Sequence, residues 1–382
     1  MPNNNLLFDT VKLGSITIDN RVGVAPMTRT SATPEGVATD EMVNYYAKFA
    51  RGGFSLIITE GTYPDDAYSQ GYFDQPGIIN DEQIKGWKKV TDAVHQEGGK
   101  IILQLMHAGA LSQGNRFVKD SIGPSVVEPK GEQMKVYGGN GKFPVPKEAT
   151  KEDIKVVIKG FAEAAKNAKK AGFDGVEIHG AHGFLLQNFF SPFFNRREDE
   201  WGGSLENRLR FPLAVVQEIK NVIKKHTTKP FILGYRISPD EHQAGGLRMK
   251  DTYELINRLI EANVDYVHAS LANALSSKPV DSQDDKTYLE LIVDHVNGRV
   301  PVLAAGSMVT PDDVKMALDK GLTLAAIGHA LIMNPDWIEK VQNGNEADIK
   351  TAIRKSKVSE LELPEKLWTA IQASGPWFKI EE

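Results

Sequence analysis

The chain is predicted to be an α/β protein, a (β/α)8 TIM barrel with an N-terminal β-hairpin and an extended lid after the third barrel strand. Three observations predict it. Eight short apolar runs, most of them rich in β-branched residues, recur along the 382 residues; near-continuous apolar character is the mark of parallel strands covered on both faces. Helical patterns fall between the runs, and eight strand–helix alternations point to a closed barrel. No glycine-rich dinucleotide fingerprint follows the first run, which argues against an open doubly wound sheet.

The elements follow in order. Residues 12–22 (KLGSITIDNRV) read as a β-hairpin plugging the bottom of the barrel. The eight runs are 22–27 (VGVAPM), 56–61 (LIITEG), 100–107 (KIILQLMH), 175–180 (GVEIHG), 231–238 (FILGYRIS), 265–271 (DYVHASL), 300–306 (VPVLAAG) and 324–330 (LAAIGHA). Helices are expected over 40–51, 81–98, 150–172, 205–226, 250–263, 288–297 and 311–320. Thr150 followed by Asp153 resembles a capping box, and Thr310 is a natural N-cap with Pro311 at the first helical position. Two connections exceed the usual repeat: 108–149, rich in Gly, Pro and Lys, and 182–204. Loops of that length are usually functional, and one that follows a barrel strand lies over the C-terminal mouth. A C-terminal extension, about 345–382, ends in an aromatic stretch with Trp368, Trp377 and Phe378. No linker divides the chain, so a single domain over 1–382 is expected.

Composition narrows the function. Hydrophobic residues make up 41% and charged residues 25%, an ordinary globular balance. A net charge of −5 from 45 basic and 50 acidic residues gives no electrostatic reason to expect nucleic acid or an anionic membrane as partner. The absence of cysteine excludes disulfides, thiolate metal sites, cysteine-ligated clusters and catalytic thiols from this chain. The start, MPNNNLLFD, has neither a basic region nor an apolar run of signal-peptide length. A cytoplasmic protein acting on small molecules is the expectation, with homo-oligomerisation left open.

Barrel enzymes carry their chemistry at the C-terminal strand ends. Here those ends hold Thr28, Gln104, His107, His179, His182, Arg236, Ser270, Gly306, Gly328 and His329. The pair His179 and His182 admits three readings: zinc ligands in need of a third, neutral donors to a developing oxyanion, or a structural pair. Gly306 and Gly328 end the last two runs, where barrels often bind phosphate, with Ser307 and His329 as candidate side-chain donors. Arg236 interrupts an apolar strand and needs either a carboxylate, Glu60 or Glu177, or a ligand that gains negative charge, such as a reduced flavin. Gln104 both donates and accepts, matching the pyrimidine edge of such a ring.

Longer segments carry a family resemblance. SPFFNRREDEWGGSLENRLRF (191–211) is the strongest, and NRVGVAPMT (20–28), QLMHAG (104–109), EIHGAHGF (177–184) and AAGS (304–307) follow the same pattern. From about residue 7 to 337 the chain resembles the old yellow enzyme family of FMN-dependent NAD(P)H:flavin oxidoreductases and ene-reductases. The resemblance implies non-covalent FMN, with Ala25, Pro26, Met27 and Thr28 along the ring and the Thr28 hydroxyl near O4. It puts Gly61 beside the ring, Gln104 on its pyrimidine edge and Arg236 at N1 and O2. Gly306, Ser307, Gly328 and His329 would surround the phosphate, and NADH or NADPH would be the reductant. His179 and His182 would hold the oxygen of an electron-poor acceptor. Two positions depart from the pattern. Phe184 stands where most members have the tyrosine that protonates the substrate. Either water or another phenol, from the loops holding Tyr63, Tyr68 and Tyr72, replaces it, or the acceptor (a quinone, a nitro compound, another flavin or oxygen) needs no such proton, or the enzyme has become slow. His329 stands where arginine is common, which implies weaker, pH-dependent retention of FMN. A metal-dependent hydrolase or lyase built on His179 and His182, and a flavin-binding protein with little turnover, are the competing classes.

Overall fold

The computed structural model describes residues 4–226, 229–282 and 285–382; residues 1–3 of the N-terminal stretch lie outside them. An antiparallel hairpin, β1 (Val11–Leu13) and β2 (Ile16–Ile18), precedes the barrel. The barrel strands begin with β3 (Val22–Val24), β4 (Leu56–Ile58) and β5 (Lys100–Leu105). After the short lid strands β6 (Ile122–Gly123) and β7 (Lys147–Glu148) come β8 (Gly175–Gly180), β9 (Ile232–Ile237), β10 (Tyr266–Ser270), β11 (Val302–Ala305) and β12 (Leu324–Ile327). Every barrel neighbour is parallel, and β12 pairs with β3 to close the ring.

The helices are α1 (Asp40–Arg51), α2 (Asp81–Gln96), α3 (Lys151–Lys170), α4 (Leu185–Phe190), α5 (Leu205–His226), α6 (Met249–Glu261), α7 (Tyr288–Val296), α8 (Pro311–Asp319), α9 (His329–Met333), α10 (Trp337–Gln342) and α11 (Glu365–Ala373). The start signals act as their chemistry requires. Thr150 and Asp153 form a reciprocal capping box, and Thr310 caps α8 with Pro311 in its first turn. Strands β13 (Ile353–Arg354) and β14 (Ile380–Glu381) pair and tie the ends of the C-terminal extension together.

The hairpin closes the barrel floor. Leu13, Ile16 and Ile18 pack with the inward residues Leu56, Ile58, Ile102, Ile232, Tyr266, Leu303 and Leu324. Full burial of each such aliphatic side chain stabilises the fold by about 1.5–3 kcal/mol. Gly234 leaves the room that the Tyr266 ring fills: a Cβ there would sit 2.0 Å from it. With the lower barrel packed by apolar side chains, polar groups collect at the upper end.

Candidate active site

Parallel register aligns the polar groups of the mouth. Gln104 lies opposite Glu177, and His179, Arg236 and His268 stand in line across β8, β9 and β10. Gln104 Nε2 donates to Glu177 Oε1 at 2.7 Å, and His268 Nδ1 lies 2.9 Å from Glu177 Oε2. All three side chains are buried. Burial alone raises a carboxyl pKa, but His268, Arg236 and Gln104 together outweigh it and hold Glu177 below its ordinary value. Burial pushes His268 down. An ionised Glu177 accepting from a neutral His268 is the state both hydrogen bonds favour.

That carboxylate faces a cation. Arg236 is 6% exposed. Burial lowers its pKa to about 10 against the pull of Glu177, so it remains charged at neutral pH. Its Nη2 donates to Ser270 Oγ at 3.0 Å, while its buried Nε has no partner. Glu60 is engaged elsewhere: its Oε2 accepts the backbone N–H groups of Arg29 and Thr30, and its Oε1 bonds the Tyr46 hydroxyl. Glu60 therefore pins the loop after β3, and no acid pair forms between it and Glu177.

The two histidines are neutral. Burial drives His179 well below its ordinary pKa, and desolvation takes His182, whose residue is exposed, down to about 3, with Arg236 adding to both shifts. The Ala181 backbone N–H donates to His179 Nδ1 at 3.3 Å, which leaves that ring's proton on Nε2. His182 Nε2 lies 2.7 Å from Ser270 Oγ. A relay Arg236–Ser270–His182 is complete when Ser270 donates onward, and the His182 proton then resides on Nδ1. His182 adopts left-handed backbone, φ +59°, a conformation that costs a residue with a side chain and is seen at functional sites. The result is two neutral N–H donors beside a fixed cation.

One cavity of about 470 Å³ gathers most of the expected residues: Pro26, Met27, Thr28, Gly61, Gln104, His179, His182, Phe184 and Arg236 all line it. Ala25 packs beneath with Ala305 and Ala326. A Cβ on Gly61 would lie 2.5 Å from Met106 Sδ, so only glycine leaves the flat approach there. Loops supply the remaining wall: Tyr72 and Met106, Tyr137 and Met134 of the lid, and Trp377 of the C-terminal extension. A second cavity of about 500 Å³ adjoins it, sharing Leu111, Lys130 and His182 and bordered by Ser238 and Ser270.

The phosphate residues stand apart. Gly306, Ser307, Gly328 and His329 do not line this cavity, although a Cβ on Gly328 would come within 3.2 Å of Met27 Sδ. Ser307 donates its hydroxyl to the Ala272 carbonyl at 2.8 Å, so its side-chain proton is already committed. His329 Nε2 accepts a hydrogen bond from Trp377 Nε1, and burial with the nearby Arg29 charge lowers its pKa. That corrects the expectation of an ordinary histidine titrating near neutrality. His107 also leaves the site: it is fully buried, and Gly109 N–H bonds its Nδ1. Among the described residues no group of three or more His, Asp or Glu side chains is placed to hold a metal ion. His268 was not foreseen as a site residue, while Ser270 stood among the strand-end residues and Glu177 was offered as a partner for Arg236. The signal for His268 was the alternation Tyr266–His268–Ser270.

The cavity suits a flat ring system that offers hydrogen-bonding edges and gains negative charge. The orphaned Nε of Arg236, the free amide oxygen of Gln104, the Thr28 hydroxyl and the bare face of Gly61 fit an isoalloxazine, and the class so defined is the barrel flavoenzyme. Comparison gives the family. The model of the NADH:flavin oxidoreductase / NADH oxidase family matches residues 6–348. A probable NADH-dependent flavin oxidoreductase of Bacillus subtilis (strain 168) is 36% identical over 385 residues, covering 100% of both chains. An old yellow enzyme homologue from Zymomonas mobilis superposes with TM-score 0.79 at 28% identity, covering 95% of this chain and 98% of that one. Morphinone reductase in complex with tetrahydroNAD gives TM-score 0.75 at 30% identity, covering 89% and 91%. The chain belongs to the NADH:flavin oxidoreductase / NADH oxidase family. It is an oxidoreductase of the old yellow enzyme type that works with FMN and NAD(P)H. Among the described residues no helix is long and apolar enough to cross a membrane.

Proposed function

We propose that this enzyme passes hydride from NAD(P)H through FMN to a small electron-poor acceptor: a quinone, a nitro compound or an α,β-unsaturated carbonyl. Bound FMN supplies the hydride relay at its N5. The observation that carries the reading is the buried Arg236 guanidinium, whose Nε has no hydrogen-bond partner among the described residues, beside Gln104 and two neutral histidines. Arg236 stabilises negative charge at the flavin N1 and O2. Gln104, which donates from Nε2 to Glu177, would offer the rest of its amide to the pyrimidine edge. Thr28 bonds O4, and the backbone at Gly306 and Gly328, with His329 nearby, holds the phosphate. His179 and His182 donate to the acceptor oxygen and stabilise the charge that develops there. The complex of morphinone reductase with tetrahydroNAD supports a nicotinamide as the reductant here. The lid 108–149 and the extension 345–382 belong to the same functional unit, since both line the cavity that holds His179 and His182.

Phe184 sets the acceptor preference. Its ring lies 4.8 Å from that of His179, in the place of the family's phenol, and offers no proton. Quinones and nitro compounds collect protons on oxygen from water, whereas an enone needs one at carbon. Turnover of quinone is therefore expected to exceed that of cyclohexenone, and Phe184→Tyr should raise the cyclohexenone rate. A fast wild-type enone rate, left where it was by the substitution, rejects this preference.

A further inference from the structure

Tyr72 and Tyr137 enter the cavity from two different loops, and the sequence pattern assigned a firm role to neither. The Tyr72 side chain belongs to the same buried cluster as Phe184, Met106 and Ala108, so a phenol and the ring that lacks a hydroxyl share the wall of one cavity. Its ring centroid is 4.8 Å from that of Tyr137, tilted by 52°. Tyr72 is 7% exposed, Tyr137 is half-buried, and both line the cavity that holds His179 and His182.

The backbone behind Tyr72 is anchored to the cofactor side of the cavity. Gln75 Nε2 donates to the Gly61 carbonyl at 2.7 Å, and Gln75 Oε1 accepts from the Gly71 N–H at 2.8 Å. Gln70 Nε2 donates to the Tyr72 carbonyl at 2.9 Å. The loop thus fixes Tyr72 relative to Gly61, the residue assigned to the flavin face. Buried polar groups are ordinarily hydrogen-bonded. Among the described residues the hydroxyl of Tyr72 has no hydrogen-bond partner, which leaves it to the cavity that the residue lines. Burial and the neighbouring Tyr137 raise its pKa, so the phenol keeps its proton throughout the working range.

We infer that Tyr72 is the proton donor for carbon acceptors in this enzyme, with Tyr137 connecting it to solvent. The inference rests on the acceptor reading above. Hydride reaches the β-carbon of an α,β-unsaturated carbonyl, and the carbon–carbon π pair moves toward the oxygen held by His179 and His182. The α-carbon then forms a C–H bond as the Tyr72 O–H bond breaks. The phenolate regains its proton from Tyr137, which is resupplied by water at the lid. A weakly acidic donor makes this step slow, in keeping with the preference for quinones.

The holoenzyme tests this with two acceptors. Proton transfer from a positioned group contributes about 10²–10⁴-fold, so Tyr72→Phe is expected to lower the ratio of cyclohexenone to quinone turnover about 100-fold. Tyr137→Phe should lower the same ratio less. Adding Phe184→Tyr to the Tyr72→Phe variant should restore it, because the phenol returns at the other position. The solvent isotope effect on cyclohexenone reduction should be large in the wild type and change in Tyr72→Phe. Cyclohexenone and quinone turnover that fall together show a packing role and overturn the inference, and so does a ratio that does not move. Wild-type enzyme that reduces neither acceptor refutes the acceptor reading itself, a result visible before any variant is made.

Discussion

The strand-borne half of the site and the loop-borne half are held in different ways. On the strands each polar group meets a neighbour set by register: Gln104 and His268 on Glu177, and Arg236 on Ser270 and through it His182. On the loops a few long-range ties do the holding. Glu60 grips the backbone at 29–30, Gln75 grips Gly61, and Trp377 reaches His329 from 48 residues away. The two halves even treat a buried carboxyl oppositely. Glu177, surrounded by donors and a cation, is held below its ordinary pKa, whereas burial takes Glu60 up to about 7. The strand half therefore keeps fixed charges for one cofactor chemistry. The loop half holds neutral, adjustable groups, and on the proposed function it would set which acceptor is served.

Breaking the strand half should have the largest effect. Arg236→Met removes the cation facing Glu177 while the bonds from Gln104 and His268 remain, so the destabilisation should stay below the about 3–5 kcal/mol of a fully broken buried pair. Thermal unfolding of the apoprotein should show that loss, and fluorescence titration should show FMN binding weakened beyond it. Arg236→Lys keeps a cation near Glu177 and should recover most of the stability but less of the FMN affinity, because the ammonium lacks the planar fork. Equal recovery of both would mean that Arg236 serves the fold alone.

The comparison of carboxyls sharpens at Glu60. Its folded pKa, about 7, lies above the ordinary 4.5. The folded state thus binds the proton more tightly, and this stabilisation is present in full below about pH 4.5 and lost as pH rises through about 7. The shift corresponds to at most about 3 kcal/mol. Wild-type stability to urea should fall between pH 5 and 8, and Glu60→Gln, which still accepts the Arg29 and Thr30 N–H groups, should flatten that fall. A wild-type curve already flat over this range would place Glu60 with Glu177, ionised throughout.

The same division explains what the sequence disclosed. The barrel was legible because eight apolar runs alternate with capped helices, and Gln104, His179 and Arg236 were legible as polar breaks in apolar strands. Which face Glu177 and Glu60 took was not legible, since strands apolar on both sides carry no alternation to fix it. The strongest family segment, 191–211, proves to be mostly scaffolding. Arg197 bonds the carbonyls of Pro124 and Ala149 and pairs with Asp199, and Asn195 bonds the carbonyls of Phe189 and Trp201. Those contacts seat the base of the lid. The walls at Tyr72, Tyr137 and Trp377 come from loops without periodicity, whose long-range ties leave no local pattern.

The smallest effect is expected where the two halves meet, at His329. Its neighbours are the rings of Trp377 and Phe378, at 5.4 and 5.0 Å, and the Arg29 charge. An imidazole that accepts an indole N–H at Nε2 cannot carry a proton there, so the extension keeps His329 neutral beside the assigned phosphate position. FMN affinity of the wild type should then stay level from pH 8 down to about 6.5, a range over which an ordinary histidine would become half charged. In Trp377→Phe the ring contact persists but the N–H is gone, and Nε2 is free to protonate. FMN binding by that variant should tighten as pH falls, by a few-fold, about the worth of one partly exposed charge pair. The double variant Trp377→Phe, His329→Gln should be level again. Matching slopes in wild type and Trp377→Phe would mean that the indole merely covers His329. A His329→Gln variant that binds FMN as the wild type does at every pH would move the phosphate away from this residue. The outcome decides whether the extension acts on the cofactor's charge or only on the shape of the wall.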